Sequence, residues 1–239
     1  MTARLLIHVE GQTEETFVNE ILRPHLYAFG YAHIGARLLG NARQRSRRGG
    51  IRPWNAARHD ILRHLKEDTG CLATTMVDYY GLPATGAKAW PGREKASGSP
   101  GVQKAASIEM ALMEDIRQEM GPGFGRFIPF VIMHEFEGLL FSDCEGFARG
   151  IERPELAGEF QSIRSRFSSP EEINDSTATH PSKRIEQLVP NYTKPLMGVL
   201  AVLEIGLAPI RWECPHFAEW LKRLGTWPAA FSRAGVTDG

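Results

Sequence analysis

Three short apolar runs in this chain stop at a carboxylate. Residues 5–9 end at Glu10, residues 72–77 end at Asp78, and residues 127–133 run through His134 into Glu135. Each run has the length and side chains of a buried β-strand, and residues 34–39 form a fourth of similar character. The stretches between them carry helical periodicity. Thr13 can cap a helix with Glu14 and Glu15 in its first turn and Phe17, Ile21 and Leu22 on one face, and Pro24 predicts a kink or an early end. Pro53 opens a second helix with Ile61, Leu62 and Leu65 as its apolar stripe. Residues 105–120 place Ile108, Ala111, Leu112 and Ile116 together, and Gly121-Pro122-Gly123 closes that helix. Strands separated by helices need crossover connections. The pattern therefore predicts an α/β fold, with a mostly parallel central sheet flanked by helices.

From about Glu137 onward no clear strand is legible. Residues 181–189, 196–205 and 214–224 read as helices, so the expected division is an α/β core over 1–145 and a helical elaboration over 146–239. Phe136, Leu139, Leu140 and Phe141 are expected in the core, and Trp212, Phe217, Trp220 and Trp227 are expected to pack the C-terminal helices. His8, inside a strand, reads as a structural histidine.

Composition excludes several classes. A 42% hydrophobic, 23% charged chain is neither disordered nor collagen-like. Cys71, Cys144 and Cys214 show no metal-knuckle or disulfide spacing. The first apolar run is too short for a signal peptide, and no run approaches a membrane span, so a cytoplasmic protein with no membrane partner is expected. P-loop, dinucleotide-binding and nucleophile-elbow motifs are missing. The 28 basic residues balance 28 acidic ones, but unevenly: between Arg37 and Lys66, eight arginines and Lys66 face only Asp60. Arg43, Arg45, Arg47, Arg48 and Arg52 fit contacts to a phosphate backbone, and Trp54 beside them is a candidate for stacking on an unpaired base. The bland alternative is a solvated loop.

In an open parallel sheet, ligands gather outside the carboxyl ends of the strands. Acids placed there repel one another and are most easily tolerated around a divalent cation. An oxygen-only set suits Mg²⁺ or Mn²⁺ better than zinc. The alternative is that each acid merely marks a solvated strand end. Gly11, directly after Glu10 and before a helix, lets the chain turn tightly toward a phosphate. His134 beside Glu135 is a candidate base, though more simply structural.

Five ordered motifs carry a resemblance over nearly the whole chain. They are Val9-Glu10-Gly11-Gln12-Thr13-Glu14-Glu15-Thr16-Phe17; Thr75-Met76-Val77-Asp78-Tyr79-Tyr80-Gly81-Leu82-Pro83; His134-Glu135-Phe136-Glu137-Gly138-Leu139-Leu140-Phe141-Ser142-Asp143; Asn174-Asp175-Ser176 with Pro181-Ser182-Lys183-Arg184-Ile185; and Cys214-Pro215-His216-Phe217 with Trp220-Leu221. Together they resemble the Toprim-like bacterial proteins of the domain-of-unknown-function family 4276. The resemblance implies metal-dependent phosphodiester chemistry, as in topoisomerases, primases and nucleases of the overcoming-lysogenisation-defect type. It implies that Glu10 and Asp78 hold Mg²⁺. The Asp-x-Asp pattern of that wider group is broken here by Tyr80, which removes one ligand and puts a second metal in doubt. Glu135, Glu137 or Glu14 are the substitutes at hand. Lys183 is the candidate for stabilising transferring phosphoryl charge, with Arg184 as a further phosphate contact. Asp175 reads as a cap or turn residue. The expected function is a divalent-metal-dependent nuclease acting on DNA or RNA in anti-phage defence beside an ATPase partner. The rival is a non-catalytic module that binds nucleic acid or a partner protein.

Overall fold

A computed structural model describes residues 2–39, 50–173 and 179–234. Strands β1 (Arg4–Val9), β2 (His33–Leu38), β3 (Cys71–Asp78), β4 (Phe127–Ile128) and β5 (Val131–Ile132) form one sheet in which every pairing is parallel. The order is β2-β1-β3-β4, with β5 also on β3. The fourth run is thus split rather than continuous. Both pieces keep the same register on β3, Ala73 opposite Phe127 and Val77 opposite Val131. Pro129 between them has no N–H to give the ladder. The Thr75 hydroxyl bridges the gap, accepting from Phe130 N–H and donating to Phe130 C=O, both at 3.0 Å.

The helices are those the crossovers require. After β1 come α1 (Gln12–Phe17), a π turn over Val18–Leu22 and α2 (Arg23–Tyr27), which run on as one helical segment. The wide turn sits just before Pro24, so the helix passes the proline without ending there. On one face of the sheet lie α3 (Trp54–Glu67) and α5 (Gln103–Met120), which bury Ala57, Ile61, Leu65, Ile108, Leu112 and Ile116 against Ala73, Val77 and Val131. The short α4 (Arg93–Ala96) precedes α5. The other face of β1, with Leu5, Ile7 and Val9, packs on the first helical segment and on α6 (Cys144–Gly150), α7 (Ala157–Arg164), α8 (Pro181–Leu188), α9 (Val199–Ile205), α10 (Leu207–Glu213) and α11 (Pro215–Ala234).

Three aromatic side chains measure how residues divide between core and surface. Trp220 is buried, its ring stacked 4.4 Å from Phe130 and its indole N–H donated to the Thr74 hydroxyl. Trp212, expected to pack the C-terminal helices, instead stands 86% exposed on α10. Trp54, expected to face a nucleobase, is buried against Trp90 and donates its N–H to Asp115 on α5 at 3.1 Å. It opens the amphipathic α3, and the apolar stripe of that helix carries its ring inward. His8 is buried in β1 between Thr74 C=O and His64, and burial together with His64 pushes its pKa down to about 3, so it serves the core as a neutral ring. Among the described residues no single helix is long and apolar enough to cross a membrane. Replacing Trp220 by Ala is expected to cost about 3–5 kcal/mol in urea unfolding. Trp212→Ser is expected to stay within about 0.5 kcal/mol of the parent.

Candidate functional site

The strand order sets the place of the site. β2 lies on one side of β1 and β3 on the other, so successive connections leave the sheet in opposite directions at the β1–β3 boundary. At such a switch point the loops part and leave a crevice outside the carboxyl ends of the strands. Glu10 follows β1 and Asp78 ends β3, so these two acids flank the crevice. A cavity of about 190 Å³ lies there, lined by Glu10, Gly11, Glu14, Gly50, Asp78, Glu137 and Lys194.

Two glycines allow the crowding. The Gly11 N–H donates to Glu14 Oε2 at 2.8 Å, and a Cβ on Gly11 would lie only 2.9 Å from that oxygen. Gly81 passes over the Glu10 carboxylate so closely that a Cβ there would sit 3.2 and 3.3 Å from its two oxygens. Asp78 Oδ1 accepts from Phe136 N–H at 2.9 Å, which swings residues 136 and 137 in beside β3. Glu137 then lies buried against the cavity. Among the described residues, Glu10 Oε2 is buried with no hydrogen-bond partner, as is the hydroxyl of Tyr192.

Electrostatics make this a strained group of charges. Burial, together with Glu137 and Glu135, holds the Glu10 carboxyl above its ordinary range. Burial plus Glu10 and Glu137 pushes Glu14 up to about 7. Asp78 lies well above the usual carboxylate range through burial, Glu10, Glu14 and Glu137. Burial likewise raises Glu137, in spite of Lys194. Among the described residues the opposing charge is Lys194, whose ammonium reaches Glu137 Oε2 at 3.0 Å and Glu135 Oε1 at 3.4 Å. Burial alone would lower its pKa, but Glu137, Glu135 and Asp78 hold it above the ordinary lysine value. Glu135 is the exception among the acids. Although burial acts to raise it, Lys194, the Ser182 N–H and His180 together keep its carboxyl below the ordinary range.

Several candidate residues therefore stand together and others do not. Glu10, Glu14, Asp78 and Glu137 line one cavity, and Glu135 joins them through Lys194. Lys183 does not supply the cation. It pairs with Glu186 on the exposed face of α8, because the helix start turns Ser182 rather than Lys183 toward Glu135. The Ser182 N–H and the His180 ring both reach Glu135 Oε2 at 2.9 Å. Arg184 donates to Thr179 C=O at 2.7 Å and lies over the Phe167 ring. Arg52 pairs with Asp60 at 3.2 Å. His134 is buried edge-on to Tyr79. Arg43, Arg45, Arg47, Arg48 and Asp175 lie outside the described residues. Of the described residues that flank the arginines, Leu39 N–H donates to Val9 C=O at 2.9 Å and Gly50 N–H to Glu10 C=O at 3.0 Å.

Sequence reasoning missed Lys194 and Tyr192, and it quoted Ser182 only within the motif around Lys183. The only local signal for Lys194 is its place before Pro195 at the start of a helical segment, Lys194–Gly198. The Thr13 hydroxyl bonds Lys194 C=O at 3.5 Å, so the helix after β1 helps to place it.

A family model described as Domain of unknown function (DUF4276) matches residues 9–225. No curated protein matches the chain. Among solved structures, the C-terminal region of the Burkholderia pseudomallei OLD protein is similar at a TM-score of 0.42 and 15% identity, covering 94% of this chain and 100% of that one.

Because folding raises the pKa of Glu14, Glu10, Asp78 and Glu137, the native state holds more protons than the unfolded chain between the ordinary carboxylate range and the raised values. Stability from these groups is full below that window and declines as pH rises through it. In chelator, the urea midpoint is expected to fall between about pH 5 and about pH 8, and Glu14→Gln to flatten that slope. An unchanged slope in the variant would contradict the assignment.

Proposed function

This chain belongs to the DUF4276 family, and we propose that it is a divalent-cation-dependent phosphodiester hydrolase of Toprim type acting on DNA or RNA. The observation that carries this reading is the gathering of Glu10, Glu14, Asp78 and Glu137 around one cavity at the switch point of a parallel sheet. The donor set is all carboxylate, and one buried oxygen, Glu10 Oε2, has no partner among the described residues. Such a set fits a hard cation, Mg²⁺ or Mn²⁺, with Glu10 and Asp78 as the principal ligands and Glu14 and Glu137 beside them. When bound, that ion supplies Lewis-acid stabilisation of phosphoryl charge and a water of lowered pKa.

The chain's own residues do the rest. Lys194, kept protonated by Glu135 and Glu137, sets an ammonium in the cavity wall where it can face a phosphate oxygen. Glu135, kept ionised by Lys194 itself with the Ser182 N–H and His180, fixes the position of that ammonium. Arg43, Arg45, Arg47 and Arg48 are proposed to follow the phosphate backbone, with their flanking residues Leu39 and Gly50 bonded at the end of β1. The sequence resemblance supports a role for this chemistry in anti-phage defence beside an ATPase partner.

Two observations favour the rival, non-catalytic reading. Among the described residues no three His, Cys, Asp or Glu side chains already form a cage for an ion. Lys194 also already pairs with two of the acids. Titration calorimetry with Mn²⁺ separates the readings: saturable heat that Glu10→Gln and Asp78→Asn abolish supports the hydrolase, and no heat at millimolar Mn²⁺ supports the module. In cleavage assays with Mg²⁺ or Mn²⁺, Glu10→Gln, Asp78→Asn and Lys194→Met are each expected to lower the rate about 100-fold or more, whereas Lys183→Met changes it less than about threefold. Folded Glu10→Gln and Asp78→Asn proteins that cleave at the parental rate would defeat the proposal.

A further inference from the structure

We propose that Tyr80 is a stacking platform for an unpaired nucleobase beside the acid cavity, which makes single-stranded nucleic acid the preferred ligand; the inference rests on the nuclease reading above. Tyr80 stands on the rim by construction. Asp78, two residues before it, lines the cavity, and Gly81, directly after it, crosses the Glu10 carboxylate. Its neighbour Tyr79 is 1% exposed, but Tyr80 leaves 38% of its surface in solvent. An aromatic residue with that much of its surface in water, beside a carboxylate cavity, is not there to fill the core.

The ring is also held ready. One face is stacked on His180, with centroids 4.8 Å apart and planes inclined by 23°. His180 is itself fixed by Glu135 Oε2 at 2.9 Å and the Ser182 hydroxyl at 3.1 Å. A ring braced in this way has little freedom left to lose when a second ring stacks on it. Glu135 ties the platform to the cation: Oε2 takes His180, and Oε1 takes Lys194. One side chain therefore sets both the surface for a base and the charge for its phosphate. Stacking needs an exposed π face on the ligand. A paired base inside a duplex does not offer one, whereas every base of a single strand does. The position that resembles the second Asp of the wider group would thus hold a ligand-binding ring here in place of a metal ligand.

The test is binding of labelled oligonucleotides to the full chain in Ca²⁺, read by fluorescence anisotropy. The probes are a single strand, the same strand built of abasic units, and a blunt duplex. The wild type is expected to hold the single strand about 5- to 100-fold more tightly than the abasic strand. Tyr80→Leu, which keeps an apolar contact with His180 but has no π face, is expected to erase that preference. Tyr80→Phe is expected to keep it. Equal affinity of Tyr80→Leu and wild type for the single strand, or a wild type that treats the two strands alike, overturns the inference and leaves the nuclease reading standing. A wild type that binds none of the three probes overturns both.

Discussion

Mutual repulsion among buried carboxyls is the constraint around which the rest of this structure is arranged. Burial, reinforced by repulsion from neighbouring carboxylates, raises the pKa of Glu10, Glu14, Asp78 and Glu137, and among the described residues the ammonium of Lys194 opposes them. A fold does not gather acids in this way for stability, since each adds desolvation and like-charge cost. The surrounding contacts limit that cost. Phe136 N–H takes one oxygen of Asp78, Gly11 N–H takes one of Glu14, and Lys194 with Ser182 and His180 keeps Glu135 ionised and paired to the lysine. What these contacts leave without a hydrogen-bond partner, among the described residues, is Glu10 Oε2.

The sheet makes the gathering possible. Parallel pairing sends every strand end to one edge, and the order β2-β1-β3-β4 opens the crevice between the two strands that carry Glu10 and Asp78. The interruption at Pro129 does not shift the register beyond it, because Thr75 bonds across the gap. Residues 134–137 therefore arrive beside Asp78. The helices of the C-terminal half close the site from the other side, bringing His180, Ser182 and Lys194 to acids some forty to sixty positions earlier in the chain.

The strands and the acids were legible in the sequence for one reason. A buried parallel strand is a short apolar run, and whatever follows it lies at the sheet edge, so Glu10, Asp78 and Glu135 could be placed by counting. Lys194 could not, because the interaction that defines it spans 57 positions and leaves no periodic trace. Lys183 drew attention through its motif, yet the helix start presents the backbone of Ser182 to Glu135 and turns Lys183 outward. Trp54 was misread for a similar reason. The charges around it suggested a ligand surface, while the stripe of Ala57, Ile61 and Leu65 on the same helix already pointed its face inward. Composition near a residue says less about its exposure than the period of the element that carries it.

The β1–β3 edge is proposed as a cation site assembled from carboxylates. Anomalous diffraction from crystals soaked in Mn²⁺ tests it most directly. The expected result is a peak within coordination distance of both Glu10 and Asp78, with Glu14 or Glu137 rotated toward it, and loss of that peak in a Glu10→Gln crystal. Mn²⁺ peaks elsewhere on the protein, with none at this edge and Lys194 still seated on Glu135 and Glu137, would contradict it.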